Sequence, residues 1–340
     1  MKVPSRWIPW IGAVCVTFLA ACIGLQWMFR PLSASPQPQP IHLVVIPDGA
    51  TFRQVAMMLE HEHLIRSRWP FELLGRLTWS DRRIPAGEYA LHAGMSGREI
   101  LSDIIHGRIL LHSVTIPEGS TAAEIAKLLG QKGLSDPGEF LRLVHDRDFM
   151  RTLDLNVPSL EGYLFPNTYQ FARPAQPKDI IKTLTTELWQ AFTPELRARA
   201  QEMNMSVNQV LTLASVIEKE TSVEAERGLV SAVFHNRLRR NILLQSDPTV
   251  IYALNGFDGN LKKRDLSVAS PYNTYRVKGL PPGPIASPGA SSIRAALYPA
   301  TGPYLYFVSR NNGTHEFSST LAAHNRAVER YQRRPPRRNS

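Results

Sequence analysis

The sequence predicts an α+β fold behind a single N-terminal transmembrane helix, and three features of its 340 residues carry that prediction. The first is residues 7–29, which hold no charged side chain. At a rise of about 1.5 Å per residue such a helix spans the roughly 30 Å of a bilayer core. The second is a strand–turn–helix pattern that recurs along the N-terminal third. The third is an amphipathic helix beginning after Ser206, with a glutamate on its apolar side near its end.

Lys2 and Arg6 precede the apolar stretch and Arg30 alone follows closely. The positive-inside bias therefore puts residues 1–6 in the cytoplasm, residues 7–29 across the membrane and the remainder outside. Trp7, Trp10 and Trp27 fall where interfacial aromatics belong. Leu19-Ala20-Ala21-Cys22 offers an alternative, a lipoprotein cleavage box, but the chain stays apolar through Phe29 where a mature lipoprotein turns polar. Both cysteines, Cys15 and Cys22, lie in this stretch, so no disulfide is available beyond it. Residues 30–40 form a Pro-rich spacer, with four prolines between positions 31 and 40 that favour extended conformations.

The net charge of +10 does not mark a nucleic-acid binder. Residues 326–340 hold six Arg and one Glu, half of the excess, in a Pro/Arg tail whose last part, 330–340, is expected to be disordered.

Sliding the chain on itself by seventy residues aligns Ile46-Pro47-Asp48-Gly49, Thr51, Ala56 and Leu59 with Ile116-Pro117-Glu118-Gly119, Thr121, Ala126 and Leu129. Each copy reads as a short strand, an acid-Gly turn, a hydroxyl helix start and an amphipathic helix. Gly87 to Leu91 followed by Ser96 and Ile100 to Ile105 gives a third such cycle. His61 and His63 sit about 200° apart on a helix with no companion ligands nearby in sequence, so no metal site is expected. Pro194 should interrupt the helical texture of residues 177–202.

Val207, Val210, Leu211, Ala214 and Ile217 form the i, i+3, i+4, i+7 stripe of a core-facing helix, and Glu218 continues it. Thr221 to Glu224 resembles a capping box, so one helix ends close to Glu218 and another starts. A carboxyl in apolar surroundings keeps its proton to higher pH, as a general acid must. The competing reading is a buried acid paired with Lys or Arg. Hydroxyl, amide and aromatic side chains then cluster in 244–249 and 272–275, followed by a Gly/Pro loop at 279–285, the ingredients of a carbohydrate groove. Glu161 lies among three aromatics in 161–169.

Leu213 to Thr221 around Glu218, Asn236-Arg237-Leu238, Leu244 to Tyr252, Tyr272 to Tyr275, Gly279 to Gly283, and Tyr304 to Phe307 with His324-Asn325 together resemble the endolytic peptidoglycan lytic transglycosylases, the MltG or YceG-like family. Ser246 stands where the family pattern has Thr, preserving the hydroxyl, and the Arg-rich end has no counterpart. The resemblance implies a LysM-like subdomain at 41–110 and a mixed α+β catalytic domain at 111–329 with a helical core that bears the glutamate. It implies a single-pass protein of the bacterial inner membrane with its catalytic domain in the periplasm. Glycan strands are the implied substrate, peptidoglycan synthases are implied partners, and no cofactor is required.

Glu218 falls on the expected catalytic position. Gln245, Asp247, Tyr272, Asn273 and Glu161 are expected to hold substrate. The implied reaction cleaves the MurNAc-β-1,4-GlcNAc bond within strands, leaves 1,6-anhydroMurNAc ends and serves to terminate glycan elongation. Two alternatives are a non-catalytic membrane-tethered peptidoglycan-binding scaffold, with Glu218 a structural ion pair, and a muramidase-type hydrolase using Asp247 as a second carboxylate.

Overall fold

The computed structural model describes residues 16, 17, 19, 23, 24, 26–33, 39–78, 84–254 and 256–333. Residues 1–6, part of the apolar stretch and residues 334–340 of the tail lie outside that set. Among the described residues no helix is long and apolar enough to cross a membrane, though those of the apolar stretch up to Met28 are helical. The chain divides into two compact units: an N-terminal one reaching Ser113, with Gln170–Ala175 added, and a C-terminal one comprising Val114–Tyr169 and Gln176–Ser340.

The N-terminal unit runs β1 (His42–Ile46), α1 (Phe52–His61), α2 (Arg68–Leu77), β2 (Gly87–Leu91) and α3 (Gly97–Ile105). β1 and β2 pair antiparallel, His42 opposite Leu91 and Ile46 opposite Gly87. Thr51 and Ser96 form capping boxes with Gln54 and Glu99, satisfying the first amides of α1 and α3. Their apolar faces close on the inward side of the hairpin through Val44, Ile46, Val55, Leu59, Tyr89, Leu91, Ile100 and Ile104. The sequence pattern anticipates these strands and two of the helices; α2 is an addition between the cycles. It packs on α1 through stacked Phe52 and Phe71, with Gly75 admitting the Phe52 ring where a Cβ would lie 2.4 Å from it.

β3 (Leu111–Thr115) begins the second repeat and pairs with β4 (Thr168–Ala172). α4 (Ala122–Gln131) carries the capping box expected at Thr121, and α5 (Pro137–Val144) and α6 (Arg147–Arg151) start at Asp136 and Asp146 caps. The helical texture of 177–202 splits into α7 (Pro177–Ala191) and α8 (Pro194–Glu202), with Pro194 at the first position of a new helix capped by Thr193.

α9 (Val207–Glu220) is the central helix of the C-terminal unit. It packs against α10 (Glu224–Arg239), α11 (Asp247–Ala253), α12 (Ala290–Leu297) and α8. The sequence reading gives it one apolar stripe, whereas it is enclosed all round from Val210 to Ile217. Thr212 and Ser215 tolerate this because their hydroxyls bond Asn208 and Thr212 carbonyls. The capping box expected at 221–224 does not form: Thr221 closes α9 and Val223 opens α10 without a side-chain cap. A β-hairpin, β5 (Tyr306–Ser309) with β6 (His315–Ser318), and α13 (Leu321–Val328) complete the unit.

Candidate active site

The last turn of α9 presents two glutamates to different surroundings. Glu218 accepts a 2.9 Å hydrogen bond from Arg227 Nη2 on α10 and another of 2.9 Å from the Gly289 amide at the start of α12. Its side chain is 6% exposed and that of Arg227 9%. Arg227 also pairs with Glu224, donates to Ser292 Oγ at 3.0 Å and lies 3.7 Å from Glu118. Burial and the neighbouring Glu218 raise the Glu118 carboxyl, while Arg227 opposes the rise. Gly289 lets the Glu118 carboxyl approach closely, since a Cβ there would stand 1.9 Å from Glu118 Oε1 and push that half-exposed side chain aside. Glu218 thus takes part in an ion pair that ties together α9, α10 and the N-terminus of α12.

Two residues further on, Glu220 lines a cavity of about 410 Å³ with Arg237, Gln245, Asp247, Tyr275, Tyr306 and His324 among its walls. Ser246, buried, donates its hydroxyl to Glu220 Oε1 at 2.5 Å. Burial pushes the Glu220 carboxyl up to about 7; nearby Asp247 adds to the rise, and the Ser246 hydrogen bond and Arg237 oppose it. This is the environment that sequence reasoning sought for Glu218, one half-turn away.

The loop before α11 is shaped for this contact. Gln245 adopts a positive φ of 51° and its amide donates to Thr274 O at 3.1 Å, while Ser246 N–H donates to Thr274 Oγ1 at 3.0 Å. Arg237 fastens the same loop by donating to the Leu243 and Leu244 carbonyls at 3.1 and 2.9 Å, and holds the edge of β5 through Leu305 O at 2.7 Å. Its guanidinium lies 5.1 Å from the centre of the Tyr306 ring, which stacks on His324 at 5.1 Å. Burial first, then Arg237, lowers the His324 imidazole and keeps it neutral near pH 7. Tyr275 donates its hydroxyl to Asp247 Oδ1 at 2.6 Å.

Of the residues expected to hold substrate, Gln245 and Asp247 line this cavity. Asn273 does not: it is fully buried, its amide donates to the Leu266 and Val268 carbonyls at 3.0 and 2.8 Å, and its oxygen accepts from Tyr275 N–H at 3.0 Å. All of its bonding capacity for donors goes to shaping the 266–277 loop. Glu161 is also buried, accepting from Ala122 N–H at 3.0 Å and from Tyr252 at 3.3 Å, and burial raises its carboxyl to about 7. Tyr272 packs beside Tyr252 with ring centres 5.0 Å apart. Glu161, Tyr252 and Tyr272 thus brace α11 away from the cavity lining. The wall residues Arg237, Tyr275, Tyr306, His324 and Asn325 stand in the motifs quoted above, yet nothing in their spacing discloses that they meet.

Residues 44–330 match the model of the YceG-like family. The chain belongs to the YceG-like family. A YceG-like relative, the endolytic murein transglycosylase of Bacillus subtilis (strain 168), is 33% identical over 302 residues, covering 84% of this chain and 83% of its own. The endolytic murein transglycosylase of Streptococcus pneumoniae serotype 2 (strain D39 / NCTC 7466) is 30% identical over 298 residues, which make up 78% of this chain and 54% of the pneumococcal one. Among solved structures, a putative YceG-like protein from Listeria monocytogenes aligns with a TM-score of 0.58 at 32% identity, covering 85% of this chain and 99% of that one.

Proposed function

We propose that this YceG-like chain is an endolytic murein transglycosylase, a lyase that cuts peptidoglycan glycan strands from within, and that Glu220 is its proton donor. The observation that carries the assignment is the position of Glu220 in the wall of the 410 Å³ cavity with its carboxyl raised to about 7. A carboxylic acid still protonated near neutral pH can donate to the glycosidic oxygen as the C1–O4 bond breaks. The resulting carboxylate takes the proton from the C6 hydroxyl of the same sugar as O6 bonds to C1. No water is consumed and the products are a 1,6-anhydroMurNAc end and a free GlcNAc 4-hydroxyl. Because the nucleophile belongs to the substrate, one carboxyl suffices, and intramolecular attack profits from effective molarities of about 10⁵ M or more.

Ser246 orients the acid through its hydroxyl, and Gln245, Asp247 and the Tyr306–His324 stack offer polar and flat surfaces to the sugars. Glu218 acts at one remove, as the anion that holds Arg227 and the start of α12. The test is mass spectrometry of intact strands digested by wild-type, Glu220→Gln and Glu218→Gln proteins. Loss of anhydro ends with Glu220→Gln alone is the expected result; unchanged yield there, with loss in Glu218→Gln at retained stability, returns the acid to Glu218.

Asp247 in the same cavity favours one second reading, a muramidase-type hydrolase with two carboxyls. Its product is heavier by one water, which the same spectra resolve.

The remaining architecture follows from the sequence. Residues 7–29 anchor the chain in the inner membrane with the bulk of it in the periplasm. Residues 41–110, in which β1, α1, α2 and β2 close one hairpin over helices, serve as a LysM-like module that holds glycan. An enzyme so tethered is positioned to terminate strands as synthases extend them.

A further inference from the structure

The end of the apolar stretch is fastened to the N-terminal unit. Phe29 is 8% exposed, its carbonyl accepts from the Gly97 amide at 3.1 Å, and its ring fills the space a Cβ at Gly97 would enter. Arg66 donates to Pro31 O at 3.1 Å and lies 4.5 Å from the centre of the Trp27 ring, while Arg98 sits 5.8 Å from the Phe29 ring. Ser33 N–H donates to Ala93 O at 3.0 Å. Met28, Phe29 and Arg30 line one small recess together with Pro70 and Phe71 of α2. The outer end of the apolar helix and the start of α2 are therefore neighbours in one folded unit.

α2 itself carries an apolar stripe that is exposed among the described residues, Trp69, Leu73 and Leu77 at i, i+4 and i+8, which are 65%, 47% and 68% exposed. Its one acid, Glu72, is buried, so the charges it offers outward are Arg68 and Arg76. Arg68 lies 5.2 Å from the Trp69 ring, a second Arg–Trp pair beside that of Arg66 and Trp27. Amphipathic rings beside snorkelling arginines, on an apolar helix face, suit the headgroup layer of an anionic bilayer, where rings meet acyl chains and guanidinium groups meet phosphates.

We infer that the N-terminal unit is seated on the membrane surface, with the Trp69–Leu73–Leu77 stripe and Arg68 and Arg76 of α2 in the headgroup layer of an anionic bilayer. This inference rests on the anchor reading of residues 7–29. It binds the anchor and the unit into one body and makes the lipid a second partner of that unit. Fastened by Phe29 and Ser33, the unit cannot swing freely on the Pro-rich segment, so glycan held there stays close to the membrane.

The test places a nitroxide at Leu73→Cys or, as an immersed reference, at Leu19→Cys in the full chain carrying Cys15→Ser and Cys22→Ser. The protein is reconstituted in nanodiscs containing phosphatidylglycerol, and accessibility to oxygen is compared with accessibility to a polar nickel chelate. The expected oxygen-to-nickel ratio at position 73 is several-fold above that of free aqueous nitroxide. An aqueous ratio at 73 with an immersed label at 19 overturns the seating and leaves the anchor standing. Protection of position 73 from both reagents overturns the lipid in favour of protein, including a second copy. An aqueous ratio at 19 removes the anchor reading, and this inference with it.

Discussion

At the scale of single residues, two glutamates two positions apart differ because the helix turns them about 200° from one another. Glu218 meets the Arg227 guanidinium and the Gly289 amide at the start of α12. Glu220 meets a buried hydroxyl, a second carboxyl and a cavity. Glu218→Gln should cost stability, on the order of 1–2 kcal/mol, because it replaces one charge-assisted hydrogen bond of buried Arg227 by a neutral one while Glu224 and Ser292 keep theirs; denaturant melts of the variant against wild type measure it. Glu220→Gln should leave the melt unchanged or raise its midpoint, while anhydro-product formation falls by about 10²–10⁴-fold.

The rate should also decline as pH rises through about 7, where Glu220 loses its proton. Asp247→Asn removes a charge that raises Glu220, so it should shift this alkaline limb to lower pH with product retained. A two-carboxyl hydrolase predicts loss of product in that variant instead. A pH–rate profile of both proteins decides between them.

At the scale of elements, the caps and breaks were open to reading and the enclosure was not. Thr51, Thr121, Ser206 and Pro194 mark helix starts because their chemistry is local: a hydroxyl meets an amide three residues on, or a ring lacks an N–H. Ser206→Ala should accordingly cost about 1 kcal/mol in a denaturant melt. The burial of α9 on every side arises from α8, α10, α11 and α12, which no periodicity within 207–220 discloses. For the same reason the stripe does not disclose the cavity beside Glu220, which is built from β5, α13 and the loop that leads into α11. The motif 272–275 was visible as polar and aromatic, but only tertiary hydrogen bonds separate Asn273, spent on carbonyls, from Tyr275 in the cavity wall.

Gly162 shows how closely elements approach around this loop: its φ is +80° and a Cβ would lie 2.2 Å from Pro284. Gly162→Ala should destabilise the C-terminal unit by at least about 2 kcal/mol, the joint cost of a left-handed backbone and an overpacked contact with a rigid ring. Thermal melts of that variant test it.

At the scale of the whole molecule, two carboxyls, the buried Glu161 and the half-buried Glu220, share a property that couples folding to pH. Both are raised to about 7 by burial, from an ordinary value of 4.5. A carboxyl whose folded pKa exceeds its unfolded one binds more protons in the folded state over that interval. Its neutral form is therefore the stable one: the contribution is complete below about 4.5 and is lost as pH rises through about 7. A displacement of this size corresponds to roughly 3 kcal/mol for each group.

The sign is opposite to that of ordinary surface carboxylates in ion pairs, which stabilise above their unfolded pKa, so the comparison must isolate one group. Glu161→Gln does so, because Glu161 braces α11 outside the cavity and its amide replacement keeps an oxygen to accept from Ala122 N–H and an NH2 that donates to the Tyr252 hydroxyl. Wild type and Glu161→Gln should have similar unfolding free energies at pH 5. At pH 8 the variant should be the more stable, by an amount on the order of 3 kcal/mol. Equal differences at the two pH values would mean that Glu161 ionises alike in the folded and unfolded chain, and that its hydrogen bonds offset its burial in full.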